Sequence, residues 1–199
     1  MSELKVNKIS PATGTAFTLG DSGDTFTVPS GATFTNSGTA TGFGGGKVLQ
    51  VVSTAKTDTF GSTSPVTPED VTGMSVTITP SATSSKVLLT VSVAYAGSTS
   101  NDSYFRVVRG STLIAAGDAA SSRSRAWFEL PRSSASVMSS ASSLTFLDSP
   151  STTSATTYKL QVGGSSDTAQ MYVNRGVTDA DGNGNARGIS TITAIEIGA

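Results

Sequence analysis

The segment Val87-Leu88-Leu89-Thr90-Val91-Ser92-Val93-Ala94-Tyr95 places Val87, Leu89, Val91, Val93 and Tyr95 at every second position. Successive side chains of an extended strand point to opposite faces, so this spacing predicts a strand with one continuous apolar side. Met74, Val76 and Ile78 repeat the pattern, as do Tyr158, Leu160 and Val162. Further strands are expected at Lys47–Val52, Tyr104–Val108, Arg125–Leu130, Leu144–Leu147, Met171–Val173 and Ile189–Ile197. Arg109-Gly110-Ser111 reads as a tight turn, and Pro131 and Pro150 stop the strands before them. No stretch has the period of an amphipathic helix. Eight to ten short strands separated by turns imply an all-β chain whose main domain is a jelly-roll-like β-sandwich.

Residues 1–46 have a different character. Phe17-Thr18-Leu19, Phe26-Thr27-Val28 and Phe34-Thr35 are short alternating blocks, with the phenylalanines nine and then eight residues apart. Turn residues fill the gaps. No block is long enough to form a core, and short strands of this kind bury their apolar side only by stacking on neighbours. We expect a short-strand repeat or β-shaft, with Phe17, Leu19, Phe26, Val28, Phe34 and Phe43 as anchoring or trimer-packing residues. Such a segment is expected to be ordered only within an oligomer or larger particle. Gly44-Gly45-Gly46 reads as a hinge. The expected division is therefore an anchor over 1–46 and a sandwich head over 47–199.

Composition narrows the function classes. The 199 residues carry a net charge of -1, only 14% are charged, and there is neither Cys nor His. A near-neutral chain offers no basic stripe to nucleic acid or to an anionic membrane. Without Cys and His, a Ser-His-Asp triad, a Cys-His pair and a typical zinc site are all excluded. Paired carboxylates remain conceivable, but Asp148 before Ser149-Pro150 and Glu69-Asp70 after Pro68 read as turn chemistry. No enzyme and no cofactor are expected. No apolar run reaches the length of a membrane span, and Met1–Lys5 lacks the apolar centre of a secretory signal.

Three local patterns invite a functional reading. Arg123, Arg125 and Trp127 would share one face of a strand, a combination found in interface hot spots and sugar-stacking platforms; Trp127 serves equally well as core. The polar run Gly97–Ser103, with Asn101 and Asp102, suits a recognition loop. Asp179, Asp181 and Asn183 put oxygen side chains at alternate positions with Gly184 at the sixth, like the opening of a calcium loop. Ser190 stands where the bidentate Glu of such a loop belongs, and an ordinary Gly/Asn hairpin explains the segment as well.

Lys5-Val6-Asn7-Lys8-Ile9-Ser10-Pro11-Ala12-Thr13-Gly14-Thr15-Ala16-Phe17-Thr18-Leu19-Gly20 and its continuation Gly23–Ala32 resemble the start of virion proteins from marine tailed phages, cyanophages included. Gly46–Val51 and Phe146–Tyr158 resemble the head domains of the same proteins. The resemblance implies a short tail fibre, homotrimeric, with heads similar to the jelly rolls of the tumour-necrosis-factor and complement globular-head type. It implies a virion location after assembly in the host cytoplasm, other virion proteins as partners, and a host-surface glycan or protein as receptor. It supplies no receptor-contacting residues. A capsid decoration or tail-plug protein, and a carbohydrate-binding module or weak hydrolase, are the alternatives.

Overall fold

The computed structural model describes residues 9–11, 13–38, 47–97, 102–130 and 140–198. The chain forms two units, Met1–Phe43 and Gly44–Ala199. Among the described residues there is no helix.

Among the described residues the second unit holds eleven strands: β1 (Val48–Lys56), β2 (Phe60–Ser62), β3 (Glu69–Ile78), β4 (Lys86–Gly97), β5 (Ser103–Arg109), β6 (Thr112–Ile114), β7 (Phe128–Leu130), β8 (Ser140–Asp148), β9 (Thr156–Gly164), β10 (Met171–Val173) and β11 (Ser190–Ile197). They form two antiparallel sheets. One has the order β1-β11-β4-β10-β2, with β8 on the other edge of β4; the second has the order β3-β9-β5-β6, with β7 also paired to β5. The chain crosses repeatedly from one sheet to the other, the habit of a jelly-roll-like sandwich.

Alternation decides what is buried. Val87, Leu89, Val91, Val93 and Tyr95 of β4 meet Met74, Val76 and Ile78 of β3, Phe105 and Val107 of β5, and Tyr158, Leu160 and Val162 of β9 in one core. Tyr95 and Phe105 pack edge-to-face across the sheets at 5.6 Å. Strand β11 lies between β1 and β4, with Ile192 and Ala194 in the core. At the end of its inward row stands Glu196, where an apolar residue would be the simple choice. Its carboxylate accepts hydrogen bonds from the Ser81 N–H (2.7 Å) and hydroxyl (2.6 Å). Two strands were not expected from the sequence. β2 and β6 have three residues each and exist because β10 and β5 provide ladders for them.

The first unit differs from expectation. Residues 9–11 and 13–38 contain no strand, only irregular backbone with bends and turns, two of them closed by the Asp24 N–H to the Asp21 carbonyl and the Ala32 N–H to the Pro29 carbonyl, each at 3.1 Å. Phe17, Leu19, Phe26, Val28 and Phe34 are all exposed, Phe26 by 65%. Phe26 and Phe34 meet edge-to-face at 6.5 Å, which leaves most of both rings in solvent. The short-strand repeat is therefore not formed within this segment of a single chain. The blocks are too short to pair with one another across their turns, and a strand without a partner makes no ladder. Phe43 and the Gly44–Gly46 hinge lie outside the described residues.

Candidate functional site: two unlike sheet faces and a recessed cavity

Strand register builds the outward face of the first sheet in rows. Val51 of β1 opposes Ile195 of β11, Ile195 opposes Leu88 of β4, and Leu88 opposes Leu147 of β8. Four aliphatic side chains thus form one line across four strands, with Val51 and Leu147 at its ends exposed by 59% and 55%. The next row is Ser53, Thr193, Thr90 and Thr145, all hydroxyls; the Ser53 and Thr193 side chains hydrogen-bond at 2.7 Å. The row after that is Ala55, Thr191, Ser92 and Ser143. None of these twelve positions carries a charge. Lys86 stands at one end of the face, bonded to the Ser149 hydroxyl, and Arg175 stacks 3.9 Å over the Tyr172 ring at the other. Among the described residues the outer edges of β1 and β8 are unpaired.

The second sheet presents the opposite chemistry. Asp70 of β3, Gln161 of β9 and Arg106 of β5 lie in one cross-strand row. Lys159 and Gln161 donate to Asp70 at 2.6 Å each, and Arg106 Nε donates to Gln161 Oε1 at 2.8 Å. Burial acts to raise the Asp70 pKa, but the hydrogen bonds from Lys159 and Gln161, with the charges of Lys159 and Arg106, hold it below the ordinary 3.8. Asp70 is therefore a member of a charged lattice on a wet face rather than the turn residue expected from the sequence.

At one end of this face lies a cavity of about 290 Å³ lined by Asp102, Tyr104, Arg123, Ser124, Ala126, Glu129 and Ser165. Tyr104 is the outward neighbour of Phe105 on β5 and opposes Gly163 and Glu129 in register. Its hydroxyl end lies over Gly163 so closely that a Cβ there would collide with Cζ and Oη. The glycine at this position makes the close approach of the ring possible.

The sequence-based candidates separate in space. Asp102 and Arg123 come together in this cavity. Asn101 lies outside the described residues. Arg123, Arg125 and Trp127 do not share a strand face, because β7 begins only at Phe128 and the preceding residues form a loop. Arg125 Nε instead ties that loop by donating to the Gly117 carbonyl at 2.7 Å. Trp127 packs on Phe105 at 6.2 Å and on Phe128 at 6.4 Å against the core. The alternation was real in sequence but had no partner strand to make it a face. Tyr104 and Glu129 were missed; nothing in the sequence shows that Gly163 lies beside Tyr104.

In the Asp179–Asn185 segment the first acid is engaged in ion pairs, which favours the hairpin reading. Asp179 binds Arg187 through both carboxylate oxygens, at 2.9 and 3.0 Å, with Arg175 at 4.0 Å. A carboxylate held by arginines is a poor cation ligand, and no three acidic side chains converge among the described residues. The Asn185 N–H to Gly182 carbonyl bond closes an ordinary turn there.

No family profile and no curated protein matches this chain.

Proposed function

We propose that this protein is a homotrimeric virion component, a short phage tail fibre whose N-terminal segment docks on the particle and whose sandwich head meets the host surface. The observation that carries the reading is the contrast between the two sheet faces. A twelve-position face without charge, with an aliphatic row and with outer edges unpaired among the described residues, is costly to leave in water and prone to uncontrolled edge pairing. Its polar groups are hydroxyls, which donate and accept equally, so the face can meet a different surface of a neighbouring copy, as a closed three-fold ring requires. Four strands about 4.8 Å apart and some seven residues long present roughly 400 Å² in projection, to which the flanking edges add, against about 800 Å² per partner in a standard interface. The charged face of the second sheet and its cavity then point away from the assembly axis.

The phenylalanines of residues 17–34 support the docking role, since Phe17, Phe26 and Phe34 each remain 48% exposed or more. The likeness of the N-terminal residues to marine phage virion proteins supplies the particle. Sedimentation velocity of the full chain tests the assembly: the expected mass is three times the 20.0 kDa chain. Val51→Arg with Leu147→Arg is expected to return it to one chain with an unchanged β-sheet spectrum. A monomeric wild type would overturn the reading.

A further inference from the structure

The geometry points to a self-modifying site in the loop between β10 and β11. There the Asn183 side-chain amide closes on the backbone nitrogen of Gly184, is lost as ammonia, and leaves aspartate or isoaspartate in its place.

The reaction makes three demands on one peptide bond. Its nucleophile is a backbone nitrogen, so the following residue must leave room for the approach, and glycine, without a Cβ, leaves the most. The backbone must swing out of its resting dihedrals, which an exposed loop allows and a core strand forbids. The amide must be able to turn. Asn183 and Gly184 are both exposed. They are the two central residues of the turn that the Asn185 N–H closes onto the Gly182 carbonyl at 3.0 Å, so that bond engages neither the Gly184 nitrogen nor the Asn183 amide. A Cβ built on Gly184 would meet nothing within 4 Å.

The other described asparagines fail at least one demand. Asn174 is fully buried, its amide donates to the Lys56 and Asp58 carbonyls and accepts from Ser190, and Arg175 follows it. Asn36 precedes Ser37, and its side-chain oxygen accepts the Gly38 N–H at 3.0 Å. Asn185 is half-buried and precedes Ala186.

Water is the co-reactant. A base takes the Gly184 amide proton and the nitrogen attacks Asn183 Cγ. The new N–Cγ bond forms, the Cγ–Nδ2 bond breaks, and ammonia departs from a five-membered succinimide. Water then opens the ring. Opening at Cγ restores the original backbone with aspartate; opening at the main-chain carbonyl gives isoaspartate, whose backbone runs through the side chain. No electrons are transferred. One carboxylate is gained, so the formal net charge goes from -1 to -2. Asp181-Gly182 can close the same ring with loss of water, but reopening restores a carboxylate, so a charge readout reports asparagine alone. The loop ends are fixed by Asn174, whose carbonyl accepts the Gly188 N–H at 3.1 Å, and by Asp179 on Arg187. The sandwich should therefore tolerate the change, and the head becomes a mixture of charge forms whose proportions record its age.

The full chain held in mildly alkaline buffer tests this, read by isoelectric focusing and peptide mapping. Trypsin cuts after Arg175 and Arg187 and releases a peptide whose asparagines are Asn183 and Asn185. We expect an acidic form to accumulate, faster at higher pH because the attacking nitrogen must lose its proton, with the modification at Asn183 and an isoaspartate fraction that isoaspartyl methyltransferase labels. The melting temperature should stay that of fresh protein. Gly184→Ala, which hinders the approach, and Asn183→Gln, which would need a larger ring, should each slow the change on the order of tenfold or more. Both positions are exposed, so both variants should fold. Modification of Asn36, Asn174 or Asn185 ahead of Asn183, no acidic form at all, or an unchanged rate in Gly184→Ala would each overturn the inference.

Discussion

The Tyr158 hydroxyl donates to Asp148 Oδ2 at 2.7 Å, and so joins the two sheets from inside the sandwich. Asp148 closes β8 in one sheet and Tyr158 lies on β9 in the other. Arg109 Nη1 completes the clasp, reaching both carboxylate oxygens at 2.7 and 2.9 Å. Asp148 is 6% exposed, so its charge depends on these partners. Tyr158→Phe should lower stability by about 1.5–3 kcal/mol, the worth of a hydrogen bond to a charged group. Asp148→Ala should cost more, because it removes the acceptor of the phenol and leaves Arg109 only the Ser149 carbonyl at 3.2 Å. Urea denaturation of the two variants gives the order.

Alkaline stability follows from the same pair. Burial first, and then the adjacent Asp148 carboxylate, push the Tyr158 hydroxyl well above the ordinary phenol range. The folded protein keeps this proton at a pH where the unfolded chain releases it. Stability is therefore complete below about pH 10 and declines above it. Melting temperatures between pH 9 and 11.5 should fall more steeply in the wild type than in Tyr158→Phe.

Acid acts through Glu196 and Asp70. The Ser81 side-chain hydrogen bond, opposed by burial, holds the Glu196 pKa below the ordinary 4.5, and Asp70 is held below 3.8. Depressed folded pKa values mean that stability is present above the unfolded values and is lost as pH falls through the folded ones. A flat melting temperature from pH 8 to about 5, falling below about 4.5, is expected. Glu196→Gln should flatten that decline.

Asn174 holds four segments together from a left-handed backbone position, φ 61°. Its amide donates to the Lys56 and Asp58 carbonyls at 2.8 and 2.9 Å and accepts from the Ser190 hydroxyl at 2.7 Å; its N–H bonds the Ala94 carbonyl at 2.9 Å. Asn tolerates this conformation better than most residues. Asn174→Ala should destabilise by about 2–4 kcal/mol, through buried groups left unpaired and backbone strain together. Asn174→Gly, relieved of the strain, should lose less. Thermal melts of the pair separate the two contributions.

Gly163→Ala tests the seat of Tyr104. The added methyl must displace the ring. Because Gly163 lies on the outward row of β9, the core should hold. We expect the Tyr104 ring resonances to shift while the melting temperature stays close to that of the wild type, read by NMR and thermal melts.

Alternation made β3, β4 and β9 legible in the sequence, since a half-buried strand must repeat every two residues. It did not reveal β2 or β6, whose three residues carry no pattern and borrow their order from neighbours. The same rule misled at Arg123–Trp127, where alternate residues sit in a loop. Asp148 was read as a turn residue because its partners, Arg109 and Tyr158, are supplied by the other sheet. The uncharged face was hidden for a related reason: Val51, Leu88, Leu147 and Ile195 form a row only once register is fixed. Of the seven lining residues of the cavity, Asp102 and Arg123 were legible; Tyr104, Glu129 and Ser165 required the fold.

Ser53 touches Thr193 across 140 positions of chain. Among the described residues strand β1 has no ladder other than β11, so during synthesis it waits for this partner until β11 has left the ribosome. Strands β3, β4 and β5, consecutive in the chain, go to alternate sheets and cannot zip up as local hairpins. Loop closure over such distances precedes any reward from pairing, which places folding in the slow range of milliseconds to seconds. The nascent chain therefore spends its most vulnerable interval with β1 and its valines open to any neighbouring polypeptide.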